Sequence, residues 1–384
     1  MLTGYSVRRL QQLCAQGAIE GVVFSDGNYL IPSSALESLF KKEKAKAMPI
    51  GLDFVETVKS GCYVDKSLLI RDLIYSHTKT TVFCRPRRFG KSLNLQMLWR
   101  FFEEGGDGKD VFDTLDIAHF EEIVKLHQGQ YPVLYFRFKD LKQDDFPSFL
   151  NALLALLCSE LARNARFLKD GGALLRRYQG LQREGATSVS LESFLFAVTE
   201  AIYRDYGRKS VIIIDEYDTP ILHAYEKGYY ERAIVFFRNF LSMGMKDNPY
   251  LAFAFLSGIT PLGKESVFSG FNSAKVNTVL DLDYSSYFGF TDLETKALLR
   301  KFGGYRHYED AKAAYDGYQF GSTKIFNPWS IANYINSSYR IDGYWRNSAD
   351  NSLLSNALLQ KENRDRLSSL LNGESVQGIS LDLR

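Results

Sequence analysis

A Gly-Lys-Ser turn between an apolar stretch and an amphipathic one is the part of the sequence best suited to chemistry. It ends the segment RPRRFGKS (85–92), which follows the apolar residues 80–84. A strand that passes through such a turn into a helix directs backbone N–H groups at an anion, and Gly90 lets the backbone approach a phosphate closely. Lys91 would contact the β- and γ-phosphates of ATP, and the Ser92 hydroxyl would help to hold Mg²⁺.

The same segment is unusually basic for a chain whose net charge is only +2. Six basic residues and no acidic one lie between Lys79 and Arg100, a clustering that suits a polyanion. However, Arg85 stands where the general G-x-x-x-x-G-K-[ST] motif has its first glycine. A Gly-Lys-Ser tripeptide also arises by chance, and a basic loop that is merely solvated is the alternative. The predicted nucleotide contacts here are Arg85, Pro86, Arg87, Arg88, Phe89, Gly90, Lys91, Ser92 and Leu93.

A second apolar stretch, SVIIIDEYDTP (210–220), ends in carboxylates. Asp215, at the carboxyl end of this predicted strand, is placed to reach Mg²⁺ through water, and Glu216 is placed to orient an attacking water as a base. Asp218 can add a second polar contact. Strand ends also carry acidic residues as caps of the next helix, which is the structural alternative. Together with Gly-Lys-Ser, this strand end predicts nucleotide binding.

A third apolar stretch, LAFAFLSGIT (251–260), also ends in polar residues. Ser257 would occupy a sensor position between the other two strands, near the γ-phosphate. An ordinary strand-ending serine in a turn with Gly258 is the alternative.

The composition is that of an ordinary globular chain and excludes several classes of protein. Of the 384 residues, 45% are apolar and 24% are charged, with 47 Lys and Arg against 45 Asp and Glu. This balance argues against long disorder and against a nucleic-acid footprint over the whole protein. No apolar run reaches the length of a membrane span, and the start lacks the apolar core of a secretory signal. With four dispersed cysteines, we expect a cytoplasmic protein that does not contact a membrane.

Strand-like and helix-like stretches alternate between residues 48 and 290. Near-continuous apolar strands that alternate with helices predict an α/β fold, with a parallel sheet covered by helices on both faces. The predicted strands are 80–84, 133–138, 210–215 and 251–257, and the predicted helices between them include 91–104, 145–165, 191–206 and 229–243.

The pattern changes on either side of this core. Residues 1–40 predict a small unit with a hairpin around Asp26-Gly27, and the charged segment 41–47 predicts a linker. Residues 291–384 predict a smaller, mostly helical domain that would act as a lid.

Longer motifs in the chain resemble the bacterial AAA-ATPase-like family. They include IIIDEYDTPI (212–221), SGITPLGKESVFSGFN (257–272), FNPWS (326–330) and YWRNSADN (344–351). The loop of that family reads RPRRFGKS without the first glycine. The resemblance covers about 48–384.

The resemblance implies a P-loop NTPase core of the additional-strand, catalytic-glutamate type. By this resemblance, Lys91 would bind phosphate and Ser92 would bind phosphate and Mg²⁺. Asp215 would bind Mg²⁺, and Glu216 would activate water.

Tyr63, Asp65 and Lys66 precede the loop in the same resemblance. They would line the nucleotide pocket or, alternatively, form a turn that pins the N-terminal segment to the core. Members of the family commonly carry a C-terminal nuclease domain of the PD-(D/E)XK type. Because no acidic pair followed by a spaced E-x-K appears past 351, we expect no such domain in this sequence.

Residues 3–32 also resemble part of a winged helix-turn-helix of the excisionase or MerR type. Arg8 and Arg9 would then face DNA, with the hairpin as a wing. A truncated or docking remnant is the alternative, since residues 1–48 carry six basic and four acidic side chains.

These patterns lead to the hypothesis of a Mg-ATP-binding, ATP-hydrolysing molecular switch in a DNA-related system. A nucleotide-gated module that binds DNA or protein with little turnover is the alternative. A small-molecule kinase fits less well, because an acidic strand end with an adjacent glutamate suits water activation. A homo-oligomer is compatible with the hypothesis. The source of an arginine finger is left open, with Arg137, Arg163, Arg166 and Arg238 as the candidates.

Overall fold

A computed structural model describes the chain over residues 47–169, 173–260 and 274–345, with 14–15, 19, 21–25, 28–31 and 369. It contains the predicted N-terminal hairpin, in which Val23–Ser25 (β1) and Asn28–Leu30 (β2) pair antiparallel. Arg8, Arg9 and most of the predicted linker lie outside the described residues.

Five parallel strands form the central sheet. They are Thr80–Cys84 (β3), Val133–Arg137 (β4), Ser210–Asp215 (β5), Leu251–Gly258 (β6) and Ala274–Asn277 (β7). Their order in the sheet is β4-β5-β6-β3-β7. Every residue of β3 and β5 is buried, because helices cover both faces of the sheet. The predicted α/β fold with a helix-flanked parallel sheet is therefore confirmed.

Alternate residues of each strand supply two apolar cores, one on each face of the sheet. In β5, Ile212 and Ile214 belong to one core, whereas Val211 and Ile213 belong to the other. This division follows from the two-residue period of side-chain direction in a strand. It explains why residues 211–214 of the strand are all apolar.

The helices begin and end where the local sequence caps them. The Asp145 carboxylate accepts the Ser148 N–H at 2.8 Å where one helix starts, and Gly207, with φ of 79°, ends another. The α-helices are Phe54–Lys59 (α1), Leu68–Tyr75 (α2), Lys91–Phe102 (α3), Glu121–His127 (α4), Phe146–Arg163 (α5), Ala173–Glu184 (α6), Ser188–Glu192 (α7), Phe194–Tyr206 (α8), Thr219–Glu226 (α9), Tyr230–Met245 (α10), Asp292–Lys301 (α11), Tyr308–Tyr315 (α12) and Pro328–Asn336 (α13).

The described part of the C-terminal region contains strands as well as the expected helices. Phe290–Thr291 (β8), Tyr318–Phe320 (β9) and Thr323–Phe326 (β10) form an antiparallel sheet in the order β8-β10-β9. The expectation of a mostly helical region is thus incomplete, and the edge strand β7 was also not predicted. Strands of two to four residues are too short to show an alternating pattern, so packing against the core decides their conformation.

Side chains block the outer edge of β4. The Glu160 carboxylate accepts the Tyr135 N–H at 2.6 Å, and the Arg163 guanidinium donates to the Val133 carbonyl at 2.5 Å. Arg163 also pairs with Glu160 and Glu103. Burial raises the pKa of Glu160 despite the nearby Arg163. Because edge backbone groups are satisfied by side chains, this side of the sheet offers little to an additional strand.

Helix α5 is, among the described residues, the one helix long and apolar enough to cross a membrane, and half of it is buried inside the molecule. Its buried side chains include Phe149, Leu153 and Leu157, which belong to the core on one face of the sheet. Core helices of this kind have the same length and composition as membrane spans.

Candidate functional site

The strand order brings the three predicted polar strand ends to one edge of the sheet. Strand β6 lies between β3 and β5, so Ser257 is opposite both Phe83 and Asp215. The Ser257 hydroxyl donates to the Asp215 carboxylate at 2.5 Å, and both side chains are buried. Ser257 thus lies between the strand that precedes the loop and the acidic strand.

The Gly-Lys-Ser turn has the backbone conformation that its glycine allows. Gly90 adopts a φ of 81° and is the N-cap of α3, with no side chain capping the helix. Arg88 also has a positive φ, of 70°. Within the described chain, the backbone N–H groups of residues 87–93 donate no hydrogen bond. The turn and the first helical turn therefore hold a row of donors for an anion.

The Lys91 side chain folds back onto its own loop. Its Nζ donates to the carbonyls of Arg85 and Pro86, each at 2.9 Å, and the side chain is buried. Burial lowers the pKa of Lys91, while Asp218, Asp215 and Glu216 act in the opposite direction. A buried ammonium held only by carbonyls, close to carboxylates, is ready to exchange those carbonyls for phosphate oxygens.

Glu216 and Asp218 occupy different environments just after β5. Glu216 has a φ of 58°, which is strained for a residue with a side chain, and the Thr219 hydroxyl donates to its carboxylate at 3.2 Å. Asp218 is buried and accepts the N–H groups of Ile259 and Thr260 at 2.7 and 3.1 Å. Burial raises the pKa of Asp218. Asp218 therefore holds the turn after β6, whereas Glu216 remains at the cavity described next.

One cavity of about 540 Å³ lies against the Gly-Lys-Ser turn. Residues 87–94 line one side of it, together with Glu216 and Thr219. Asp215 and Ser257 directly precede two of the lining residues, Glu216 and Gly258. Further lining residues, which the sequence did not indicate, are Met48, Pro49, Ile50, Gly51, Leu52, Lys139, Lys142, Phe290, Pro328, Trp329 and Ala332.

A family model described as "Predicted AAA-ATPase" matches residues 49–268, which is more than half of the chain. The chain belongs to this predicted AAA-ATPase family. The description of this family is that of a predicted ATPase, and the matched residues include the Gly-Lys-Ser turn and the acidic strand end. The match does not extend to the N-terminal unit or to a nuclease domain.

The chain is also similar to a curated bacterial protein. It is 26% identical over 293 residues to an "Uncharacterized protein in vnfD 5'region" of Azotobacter chroococcum mcd 1. The match covers 74% of this chain and 51% of that protein. The chain thus spans about half the length of the curated relative.

The Arg85 guanidinium does not reach the cavity of this AAA-ATPase-like protein. Its side chain is fully buried and donates to the carbonyls of Cys84 and Asn277 at 3.0 and 2.9 Å, and to the Asn277 side chain. It lies 5.0 Å from the ring centroid of Phe288, and burial lowers its pKa to about 10. Arg85 therefore fixes the loop to the edge strand β7, and only its backbone carbonyl meets Lys91.

Phe89 is a second anchor of the loop. Its ring packs against those of Tyr318 and Phe320 in the small sheet, at 4.8 and 5.1 Å between centroids. In contrast, the Arg88 guanidinium lies 4.2 Å from the ring centroid of Trp329 in α13, and both side chains line the cavity. The loop thus contacts the C-terminal region at two points, through Phe89 and through Arg88.

We expect Arg85→Met to affect mainly the stability of the fold and Arg87→Met to affect mainly the affinity for ATP. Arg85→Met removes buried hydrogen bonds, so it should lower the free energy of unfolding by about 2–3 kcal/mol and change ATP affinity little. Arg87 is exposed and lines the cavity, so Arg87→Met should weaken ATP binding with little change in stability. Urea unfolding measures the free energy of unfolding, and titration with fluorescent ATP measures the affinity. Equal loss of affinity in the two variants would mean that Arg85 acts on the nucleotide.

The sequence singled out three residues ahead of the loop, Tyr63, Asp65 and Lys66. Two of them line the cavity and one forms a turn. Tyr63 and Lys66 are cavity residues, and Lys66 pairs with Glu294 of α11 at 2.6 Å. Asp65 instead accepts the backbone N–H groups of Ser67 and Asp116, each at 2.7 Å. The pocket and turn interpretations therefore describe different residues of the same segment.

The residues at the cavity suit Mg²⁺ bound together with a nucleotide. Among the residues that the structure describes, no group of three or more His, Cys, Asp or Glu side chains could hold a metal ion alone. Mg²⁺ in nucleotide sites commonly has one or two protein ligands and takes the remainder from phosphates and water. The Ser92 hydroxyl and the Asp215 carboxylate, held by Ser257, provide such a set.

Proposed function

We propose that the protein is a Mg-dependent ATPase that acts as a molecular switch. The observation that carries the proposal is one cavity lined by Lys91, Ser92 and Glu216, with Asp215 at the end of β5 directly before Glu216. The position of β6 between β3 and β5 supports an additional-strand, catalytic-glutamate core.

In this proposal, the chain binds the triphosphate through backbone and side-chain donors. The N–H groups of residues 87–93 would contact the phosphates, with Leu93 contributing only its backbone. Lys91 would exchange its loop carbonyls for β- and γ-phosphate oxygens. Ser92 and Asp215 would hold Mg²⁺, which neutralises phosphate charge when bound.

Glu216 would accept the proton of the attacking water. Its left-handed backbone turns the residue out of the strand direction, and Thr219 orients its carboxylate. The Ser257–Asp215 hydrogen bond keeps a polar group between the loop and Glu216, which supports a sensor role for Ser257. The strain at Glu216 is of the kind that is retained at functional sites.

Contacts between the loop and the C-terminal region would convert nucleotide state into a change of shape. The Arg88–Trp329 pair and the packing of Phe89 on the small sheet place the region after 291 directly on the phosphate loop. This arrangement supports a lid that closes on ATP and is released after hydrolysis. The domain limits, a cytoplasmic location, a homo-oligomer and DNA binding through the N-terminal unit remain predictions.

Fluorescent-ATP binding and phosphate release by the full chain, each with and without Mg²⁺, test the proposal. We expect binding that Mg²⁺ strengthens, together with steady release of phosphate. Binding without release would instead favour the nucleotide-gated module. Absence of binding would refute both.

A further inference from the structure

We propose that Lys139 and Lys142 supply, from within the same chain, the positive charge that faces the γ-phosphate during hydrolysis. The inference rests on the proposed ATPase function and adds residues that none of the sequence motifs contain. Both lysines line the cavity that Lys91, Glu216 and Thr219 also line. They reach it from the segment that follows β4.

The turn that carries the two lysines is fixed to the strand ends of the sheet. Because β4 pairs with β5, the chain leaves β4 beside the acidic strand end. The Phe138 N–H donates to the Asp215 carbonyl at 2.9 Å, and the Leu141 N–H donates to the Phe138 carbonyl at 3.1 Å. Phe138 and Leu141 are buried, whereas the lysine after each of them is exposed. Two ammonium groups thus extend from an anchored backbone.

Both ammonium groups are available to an anionic ligand. Among the described residues, no carboxylate lies within ion-pair distance of Lys139 or Lys142. Asp140, between the two lysines, is exposed, and the next two carboxylates of the segment are engaged elsewhere. Asp144 pairs with Lys227 at 2.6 Å, and Asp145 caps α5. Lysines that line a cavity without counter-ions gain charge-assisted hydrogen bonds when a phosphate group enters.

The arginines that the sequence left open are placed less well for this role. Arg163 is held by carboxylates at the edge of β4, and Arg166 donates to a backbone carbonyl. The Arg137 guanidinium lies over the ring of Tyr135, 5.9 Å from its centroid. None of these side chains lines the cavity, and neither does Arg238.

The chemistry of hydrolysis explains why charge is needed at this place. The water oxygen bonds to the γ-phosphorus while the bond from that phosphorus to the bridging oxygen breaks. The electron pair of that bond remains on ADP, and Glu216 takes the proton of the water. Negative charge grows on the transferring and bridging oxygens, so cations beside them stabilise the transition state more than the bound ATP. Lys139 and Lys142 line the same cavity as Glu216 and are suited to this task.

The test compares the full chain with its Lys139→Gln/Lys142→Gln variant. We expect the maximal rate of phosphate release to fall about 100-fold, because charged donors to the transition state have effects of this size. ATP affinity should change by less than about threefold, since the lysines act mainly in the transition state. Affinity for ADP with aluminium fluoride, which mimics the transferring phosphoryl group, should fall together with the rate.

Two further proteins control this experiment. Lys139→Arg/Lys142→Arg keeps the charge and should retain most of the activity. Lys125→Gln/Lys209→Gln removes the same charge from exposed positions outside the cavity lining and should behave as the wild type. Thermal unfolding of all variants separates loss of charge from loss of fold. Equal rates and equal aluminium fluoride affinities in wild type and Lys139→Gln/Lys142→Gln would overturn the inference.

Mixing two inactive proteins tests whether the lysines act within their own chain. Glu216→Gln protein retains both lysines, so it would restore activity to the Lys139→Gln/Lys142→Gln protein if they acted across a subunit boundary. We expect no restoration, and recovery of phosphate release would contradict the inference. If wild type binds ATP but releases no phosphate, the proposed ATPase function fails, and the aluminium fluoride affinities alone decide the role of the lysines.

Discussion

Replacing Lys91 by alanine is expected to weaken ATP binding by at least about 100-fold, equivalent to about 2.7 kcal/mol. The Lys91 ammonium is buried against the loop carbonyls of Arg85 and Pro86. A triphosphate therefore gains a dehydrated cation that is already held in place. In the free protein, burying the Lys91 charge already costs free energy. Replacing Lys91 should therefore not destabilise the fold. Equilibrium titration with fluorescent ATP and thermal unfolding measure the two effects.

Lys79→Ala is the matched control for this prediction. Lys79 belongs to the same basic stretch but precedes β3, at the end of the strand opposite the loop, and it is exposed. If affinity depends on the overall charge of the stretch, both variants should lose it equally. A loss confined to Lys91→Ala supports a phosphate contact, and ATP binding of wild-type strength by Lys91→Ala would exclude the proposed site.

Glu216→Gln is expected to lower phosphate release by about 100- to 1,000-fold while ATP affinity stays within about threefold of wild type. The amide keeps the size of the side chain and its hydrogen bond from Thr219, but it cannot take a proton from water. Asp215 and Lys91 remain, so the triphosphate should still bind. Single-turnover phosphate release and equilibrium binding separate the two steps.

Glu231→Gln is the control for the second prediction. Glu231 is exposed in the first turn of α10 and lies outside the cavity lining, so its amide should hydrolyse ATP as the wild type does. Rapid phosphate release by Glu216→Gln would remove Glu216 from the mechanism. A parallel loss of binding would instead assign Glu216 to the binding of the nucleotide and Mg²⁺.

The similarity to known proteins supports this chemistry only at the level of the family. The family model covers 49–268, which includes the Gly-Lys-Ser turn and the acidic strand end. The curated relative has no assigned function, and the match covers only half of its length. The relative therefore gives no information about the biological target of this chain.

Much of the sheet was predictable because its strands carry strong local signals. Residues 80–84 and 210–215 are apolar runs bounded by polar residues, and both strands have the predicted limits. Strand β7 and the small sheet had no such signal, because their strands are only two to four residues long and gain their conformation by packing on neighbours. The loop before α3 was predictable for a similar reason, since Gly90 and the following helix form a local motif.

The partners of each site residue were harder to predict. The sequence assigned Arg85 to the nucleotide because of its charge and its place in the loop. The fold instead surrounds it with Asn277 and Phe288, which are far away in sequence. Charge is visible in a sequence, but the direction of a side chain depends on what packs around it.

By itself, the sequence determined the chemistry-bearing groups: a phosphate-type loop with Lys91 and Ser92, and an acidic strand end with Asp215 and Glu216. Both are local motifs whose residues lie next to one another in the chain. Only the tertiary structure decided what surrounds them, including Trp329, Lys139 and Lys142. The order β4-β5-β6-β3-β7 brings distant segments to one edge, and this order arises from packing between elements that no local stretch encodes.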